Sequence, residues 1–283
     1  MQAGRQAIYD RCMVDPWKPA SDPEWAIAIV IFAVDYALVA RALRRRGDPV
    51  ARARMLAFAA GLFVLGLALL SPIEHLALTS MLSFHMLQNV MIADWAPPLL
   101  VLGLAPAMAV AIGNARGVRT LVQPVPAFLL WLAVWYGVHV PAAYDYALTH
   151  RAALGVEHLL LIASGLAFWW PDLAGGRLGP RARVLYPLLG MLAMMPLNVY
   201  IALAGHPLYA FYATTPKLGG LSALADQRIA GAATVLLETA ILGGAALLAA
   251  RRLVREERRS GYPVGGDGES PILRSSSATR VSA

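Results

Sequence analysis

Seven long apolar segments constrain the fold of this chain more than any other feature. They cover approximately residues 25–43, 54–70, 81–104, 124–141, 153–171, 184–204 and 229–250. A helix needs roughly 20 mostly apolar residues to cross a bilayer. The chain is 58% hydrophobic and 14% charged, whereas about 25% of the residues of a soluble domain are charged. The sequence therefore predicts an all-α integral membrane protein with seven transmembrane helices in a lipid bilayer.

The distribution of arginine predicts the orientation of these helices. Arginines crowd every second connection, at residues 41–54, 116–119, 177–183 and 251–259. Because basic loops stay in the cytoplasm, the N-terminus is expected outside and the C-terminus inside. The net charge of +7 is thus explained by topology, and we predict no nucleic-acid partner.

The same pattern divides the chain into three parts. We predict an extracytoplasmic N-terminal tail at 1–24, a seven-helix transmembrane domain at 25–251, and a cytoplasmic, largely disordered C-terminal tail at 252–283. The last part is rich in Gly and Ser and has no apolar period, which is typical of disorder. Cys12 is the single cysteine, so no internal disulfide is possible. Both lysines lie outside the spans, which excludes a retinal Schiff base.

The histidines all fall on the predicted outer side of the membrane. They are His75, His85, His139, His150, His158 and His206. Imidazole binds metals and haem and transfers protons, so this distribution points to chemistry at one face. His85 and His158 lie within spans, where a polar group is costly and is usually functional.

A copper site is the most specific chemistry that these residues suggest. Met81, His85 and Asn89 are spaced by four residues and would share one helical face. Thioether and imidazole groups are suitable ligands for Cu(I). Neighbouring spans supply further groups at similar depth, and Glu157 could orient an imidazole by hydrogen bonding. The predicted metal ligands are Met81, His85, His139, Glu157 and His158.

Three carboxylates are predicted near the middle of the membrane, at Asp35, Asp94 and Glu238. Because an ionised group is expensive there, each is expected to face the interior of the helix bundle. They could form a proton or ion path, or they could hold helices together by buried hydrogen bonds. The sequence leaves both interpretations open.

Three sequence blocks resemble a known family. FHMLQN followed by APPLLVLGLAP (84–106) is similar to the HMxQH…PPLLxLGxP signature of the CtaG family of multi-span cytochrome c oxidase assembly factors. HVPAAYDYALTHRAALGVEHLLLIASGLAFWWP (139–171) resembles a second block of that family, and LYAFYATTPKLGGLSALADQRIAG (208–231) a third. The resemblance covers about residues 60–250.

The resemblance implies a non-enzymatic protein of the bacterial inner membrane that matures a haem-copper oxidase. It implies copper handling on the outer face and oxidase subunits as partners. The matching positions are His85, His139, Glu157, His158, Asp226 and Gln227. Asn89 replaces a second histidine of the first motif, and Leu154 replaces one that often precedes His158 by four residues.

Two other functions agree with parts of the sequence. A haem-binding redox protein could use His85 and His158 as axial ligands. An ion or copper transporter could use Asp35, Asp94 and Glu238, and Pro196 interrupts the sixth span as in transporters with broken helices.

Overall fold

The computed structural model describes residues 22–174 and 176–259, and the regular structure of these residues is entirely helical. The helices are α1 (Pro23–Arg45), α2 (Arg52–Leu70), α3 (Pro72–Thr79), α4 (Leu82–Gly103), α5 (Pro106–Gly113), α6 (Val118–Leu121), α7 (Pro124–Val138), α8 (Pro141–Thr149), α9 (Arg151–Leu173), α10 (Pro180–Leu203), α11 (Ala210–Thr214) and α12 (Ala223–Arg259). The predicted all-helical fold is confirmed.

The long helices coincide with the predicted spans. Helices α1, α2, α9, α10 and α12 are each long and apolar enough to cross a membrane. Helix α4 with α5, and α7 with α8, reach this standard only as pairs, which are bent by 116° and 73°. The structure therefore has five to seven candidate spans, as expected for a multi-span membrane protein. The count of seven and the orientation stay predictions.

The predicted tails lie mostly outside the described residues, as does Cys12. At the other end, α12 continues through Arg259, so the first residues of the predicted tail at 252–283 are helical. The boundaries of the three predicted parts stay predictions.

Prolines account for both bends. Val140 and Ala105, which precede Pro141 and Pro106, have extended backbone with ψ of 123° and 153°. The ring of a proline disfavours helical geometry in the residue before it. Helix α7 therefore ends at Val138, and the chain turns directly after it, with His139 buried and Val140 exposed.

Two of the long helices contain a π-helical stretch. These stretches are Met91–Trp95 in α4 and Thr239–Gly243 in α12. Such wide turns often occur at functional sites. Asp94 lies within the first stretch, and Glu238 immediately precedes the second.

The core places α4 at the centre, in contact with α2 and α9. A side chain at Gly165 in α9 would put its Cβ 2.0 Å from the carbonyl oxygen of Ala93 in α4. Only glycine allows the two helices to approach so closely. This approach brings the N-terminal part of α9, with Glu157 and His158, beside the N-terminal part of α4, with His85.

Candidate metal-binding site at the outer end of the bundle

The start of α4 is held in place by a carboxylate from another helix. Asp226, in the first turn of α12, accepts hydrogen bonds from the backbone N–H groups of Leu82 and Ser83 at 2.7 and 3.2 Å. It also accepts a 2.6 Å hydrogen bond from the Ser83 hydroxyl. A negative charge at a helix N-terminus pairs with the unsatisfied N–H groups there. Asp226 therefore fixes the segment that carries His85.

The loop that follows α10 is anchored in a similar way. The Gln227 carboxamide accepts from the Leu208 N–H at 2.7 Å and donates to the carbonyls of Ile201 and His206, each at 3.2 Å. Asp145 in α8 accepts from the N–H groups of Ala210 and Phe211 at 2.9 and 3.1 Å. These contacts fix α11.

Helix α11 places Tyr212 against the His85 imidazole. The Tyr212 hydroxyl donates to the carbonyl oxygen of Ala77 and lies 2.8 Å from Nδ1 of His85. Burial raises the pKa of Tyr212 well above its ordinary value, and the charge of Glu157 adds to this shift. The phenol proton is therefore retained and is used by Ala77, so Nδ1 of His85 must donate to the phenol oxygen.

This assignment leaves Nε2 of a neutral His85 as a hydrogen-bond acceptor. Nε2 lies 3.5 Å from Oε1 of Glu157, and neither atom has a hydrogen-bond partner. An ionised carboxylate also only accepts. Two buried acceptors therefore face each other with nothing electropositive between them, unless a proton or a cation occupies the gap.

His139 has the same arrangement with a different neighbour. Its ring stacks on Trp135 with 5.1 Å between centroids, and its Nδ1 lies 2.7 Å from the Trp135 carbonyl oxygen. A carbonyl only accepts, so Nδ1 carries the proton. Nε2 then presents its lone pair to Sδ of Met86 at 3.1 Å. A thioether sulfur is also only an acceptor, so a second acceptor pair faces inward.

The third imidazole lies next to these pairs. His158 is fully buried, and neither of its ring nitrogens has a hydrogen-bond partner. Its ring centroid is 6.4 Å from that of His85. Tyr144 lies between the other two imidazoles, with its centroid 4.8 Å from His85 and 5.5 Å from His139. The Tyr144 hydroxyl also lacks a partner.

Unsatisfied polar groups are therefore concentrated here. Asn89 follows His85 by one helical turn, and both polar atoms of its buried carboxamide are unpartnered. Buried polar side chains almost always have hydrogen-bond partners. The cluster of His85, His139, His158, Glu157, Met86, Tyr144 and Asn89 is called the outer site below.

The structure brings together four of the five predicted ligands but separates Met81 from the expected face. Met81 has extended backbone (φ −119°, ψ 114°) and precedes the first residue of α4. Its Sδ contacts the backbone N–H of Leu218 at 3.4 Å. Met81 therefore precedes the helix that carries His85, and its role as a metal ligand stays a prediction. The thioether that meets an imidazole belongs to Met86.

The remaining histidines lie apart from the outer site. His150 is exposed, and its Nδ1 contacts the carbonyl of Tyr146 at 2.9 Å. His206 is exposed in the loop after α10, and His75 lies in α3. Within residues 22–174 and 176–259, no three or more His, Cys, Asp or Glu side chains are grouped closely enough to hold a metal ion. A metal ion bound here would therefore need the Met86 thioether as a ligand in addition to imidazole.

The comparisons with known proteins identify the family of the chain. The family model of the cytochrome c oxidase caa3 assembly factor (Caa3_CtaG) matches residues 34–256, which is most of the chain. The chain belongs to the cytochrome c oxidase caa3 assembly factor family. The family resemblance noted from the sequence is thereby confirmed.

Two curated relatives are similar to this caa3 assembly factor family member. They are the uncharacterized protein Mb0105 of Mycobacterium bovis and the uncharacterized protein MT0111 of Mycobacterium tuberculosis. Each is 27% identical over 228 residues, which cover 71% of this chain and 34% of the relative. The chain thus spans about a third of the length of these relatives. No solved structure matches.

Two of the three carboxylates that were predicted near the middle of the membrane are buried inside the helix bundle. Asp94 accepts a 3.2 Å hydrogen bond from the Trp131 indole, and Glu238 accepts one of 2.7 Å from the Asn198 carboxamide. The second oxygen of each carboxylate has no partner. Asp35 is exposed on α1, which has no buried residue. The expectation that all three face the interior is therefore wrong for Asp35.

Met86, Tyr144 and Tyr212 were not predicted as parts of the site. The signal for the tyrosines was their position in two similar outer loops, HVPAAYDYA (139–147) and HPLYAFYA (206–213), each with His and Pro before paired tyrosines. Met86 matches the Met of the HMxQH signature, but nothing in the sequence indicated that its sulfur would face His139, because that contact depends on how the chain turns after α7.

Proposed function

We propose that this assembly factor binds Cu(I) as cargo in the outer site and passes it to a haem-copper oxidase during assembly. The proposed role is non-enzymatic and belongs to the extracytoplasmic face of a bacterial inner membrane. Membership of the oxidase assembly family and the predicted orientation support this location.

One observation carries the proposal: Nε2 of His139 and Sδ of Met86 lie 3.1 Å apart as two facing acceptors. A buried pair of lone pairs is unfavourable without an electropositive partner. Imidazole and thioether together select soft ions such as Cu(I) over hard ions. The tether from Nδ1 to the Trp135 carbonyl is also the usual way in which a protein orients a metal-binding histidine.

The second acceptor pair gives the ion a neighbouring position. His85, oriented by Tyr212, faces Glu157, and His158 lies beside them with both nitrogens unpartnered. A cargo ion needs ligands that can be exchanged, and two or three His and Met ligands suit labile Cu(I) better than a rigid four-thiolate cage would. We propose that Cu(I) is held by His139 and Met86 and is exchanged through His85 and His158.

The partner is proposed to bind through the exposed face of α1. This helix is apolar along its length and exposes Ile31, Phe32 and Leu38, with Asp35 near its middle. An aspartate at the centre of a lipid-facing helix costs about 2.5–3.5 kcal/mol. A transmembrane segment of an oxidase subunit with a basic or hydrogen-bond-donating side chain would remove this cost.

The metal proposal is tested by loading the purified protein with Cu(I) without oxygen and measuring bound copper. We expect near-stoichiometric copper in the unaltered protein and a large loss of affinity in Met86→Leu, which keeps the volume but removes the sulfur. Met194→Leu is the matched control, because Met194 is equally buried but packs in the apolar core. Unchanged copper affinity in Met86→Leu would contradict the assigned ligand.

Further outcomes discriminate the alternatives. A His139→Ala variant should lose copper, whereas His206→Ala, altered at an exposed histidine, should keep it.

A Soret band in the purified protein would favour haem binding. Cation flux into liposomes that disappears in Glu238→Gln would favour a transporter. In cells, deletion should abolish oxidase activity, and the Met86→Leu variant should fail to restore it.

A further inference from the structure

A cavity of about 350 Å³ opens next to the outer site. It lies between the start of α1, helix α3 and the start of α9, on the predicted outer side. The lining residues that matter for its chemistry are Asp22, Glu24, Trp25, Glu74, Arg151 and Leu154. We call this cavity the vestibule. It is separate from the ligands of the outer site, none of which lines it.

The vestibule reaches the outer site through a thin wall. Trp25 lines the vestibule, and its ring centroid lies 5.8 Å from that of His158. Leu154 also lines it, one helical turn before His158. Trp25 is therefore in contact with both the vestibule and the imidazole of His158, whose two ring nitrogens are unpartnered.

The charge of the vestibule suits a cation. The carboxylates of Asp22 and Glu24 and the carboxyl group of Glu74 line it, and Arg151 is the basic residue among its lining residues. Glu74 is 1% exposed; one of its oxygens accepts from the Gln88 carboxamide, and the other has no partner. Burial raises the pKa of Glu74 to about 9, and the charge of Asp22 adds to the shift. A buried carboxyl group of this kind holds a proton that a cation can replace.

Arg151 closes the vestibule on its solvent side. Its guanidinium binds Asp22 at 2.6 Å and Glu24 at 2.7 Å, and so joins the start of α1 to the start of α9. The Arg151 side chain is 65% exposed, so water screens the bridge and it contributes little stability. Such a bridge can open at low cost.

From this arrangement we infer that the vestibule is the access route by which a monovalent soft cation reaches the outer site. Arg151 acts as its removable cover, and Glu74 receives the ion inside. This inference rests on the proposed copper-binding function, because it supplies the path that the buried ligands require.

The first test measures the charge preference of the vestibule without any metal. Leu154→Cys is introduced in a Cys12→Ser background and treated with methanethiosulfonate reagents of similar size but opposite charge. With each rate divided by the rate of the same reagent with a free thiol in solution, we expect the cationic reagent to react about tenfold faster, at the lower end of what electrostatic focusing produces. Arg151→Gln should raise both rates.

Arg183→Gln is the control, since Arg183 pairs with Asp172 at 3.8 Å, far from the vestibule in sequence and fold. Equal rates for both reagents would overturn the acidic route.

The second test follows silver(I) as a stable probe of Cu(I) binding. In the Cys12→Ser background, Leu154→Cys blocked by the reagent, or a Glu74→Gln substitution, should slow silver binding about tenfold relative to the Cys12→Ser protein while leaving the final stoichiometry unchanged. Normal stoichiometry with an unchanged rate would overturn the access route alone. Absence of silver and copper binding in the unmodified protein would instead overturn the proposed function, and the route with it.

Discussion

At the scale of single residues, the outer site depends on groups that orient its ligands. Tyr212 accepts from Nδ1 of His85 and thereby fixes which nitrogen faces Glu157. We expect Tyr212→Phe to weaken Cu(I) binding about 10- to 100-fold, as loss of an orienting partner usually does. The stoichiometry should stay the same in a competition titration with a Cu(I) chelator.

The control for this prediction is Tyr36→Phe. It removes a tyrosine hydroxyl that donates to the Gly103 carbonyl at 2.9 Å, at the predicted cytoplasmic end of α4. Copper affinity should be unchanged in this variant. Equal affinities of Tyr212→Phe and the unaltered protein would show that His85 is not held by its phenol partner.

Glu74 makes stability depend on pH. Burial, reinforced by the nearby charge of Asp22, raises its pKa from the ordinary value of 4.5 to about 9. Between these values the folded protein retains a proton that the unfolded chain releases. Its contribution is therefore complete below pH 4.5 and is lost as the pH rises to about 9. Glu74→Gln should remove this loss.

The measurement is the Tm in detergent at pH 5, 7 and 9. The Tm of Glu74→Gln relative to the unaltered protein should rise by several degrees across this range, since about 1 kcal/mol shifts Tm by roughly 2–4 °C in a domain of 150–250 residues. Glu256→Gln, at an exposed carboxylate, should show no such trend. A constant Tm difference between Glu74→Gln and the unaltered protein would argue against a buried neutral Glu74.

The sequence identified some residues of the site and not others for a physical reason. His85 and His158 were predicted because an imidazole within an apolar span is exceptional in itself. Met86 was not, because methionine is common in apolar helices and becomes a candidate ligand only beside Nε2 of His139. That contact depends on the chain turning at Pro141, and a periodic pattern within one helix cannot reveal it.

At the scale of helices, the approach of α9 to α4 determines whether the outer site forms. Gly165→Ala would place a Cβ 2.0 Å from the Ala93 carbonyl oxygen and force the helices apart. We expect a loss of about 1–3 kcal/mol and weaker copper binding, because Glu157 and His158 move away from His85. Both effects are measurable as Tm and as Cu(I) affinity.

Gly155→Ala is the matched control in the same helix. A Cβ at Gly155 has no neighbouring atom within 4 Å, so the substitution should be neutral or should stabilise α9 by up to about 1 kcal/mol. If both variants had the same Tm, the close approach of α9 to α4 would not be what limits this interface.

Hydropathy predicted the long helices well because length and apolarity are local properties. The bends were less accessible: the predicted span at 124–141 is interrupted after Val138, and α8 runs on at 73° to α7. Pro141 was the available signal, since proline disfavours helical geometry in the residue before it. The π-helical stretches at Met91–Trp95 and Thr239–Gly243 have no comparable sequence signal.

At the scale of the whole molecule, the sequence could not show which helical faces meet lipid. Apart from Asp35 and Tyr36, the middle of α1 is apolar on all sides, so its pattern does not distinguish an interior from an exterior face. Asp35 was therefore expected inside the bundle, but it lies on the exposed surface. The same observation supports the exposed face of α1 as the docking surface that we propose for the oxidase subunit.

The docking proposal for α1 predicts opposite effects of one substitution on the free protein and on its complex. Asp35→Leu removes a carboxylate from an apolar surface, so the isolated protein should become more stable in a bilayer. Binding to the oxidase subunit should fall roughly fivefold, as expected for loss of a polar interhelical contact of about 1 kcal/mol. Copper stoichiometry should not change.

Asp48→Leu makes the same substitution in the exposed loop after α1 and should leave subunit binding unaltered.

Co-expression with the oxidase subunits, followed by quantitative crosslinking from α1, measures this binding. The mass of the protein in nanodiscs measures self-association in the same samples. A shift from dimer to monomer in Asp35→Leu, with unchanged crosslinking to the oxidase, would assign the α1 face to a second copy of the chain. Reduced crosslinking together with higher stability would instead fit a side chain kept exposed for its partner, because packing within the chain alone would not favour a carboxylate at this position.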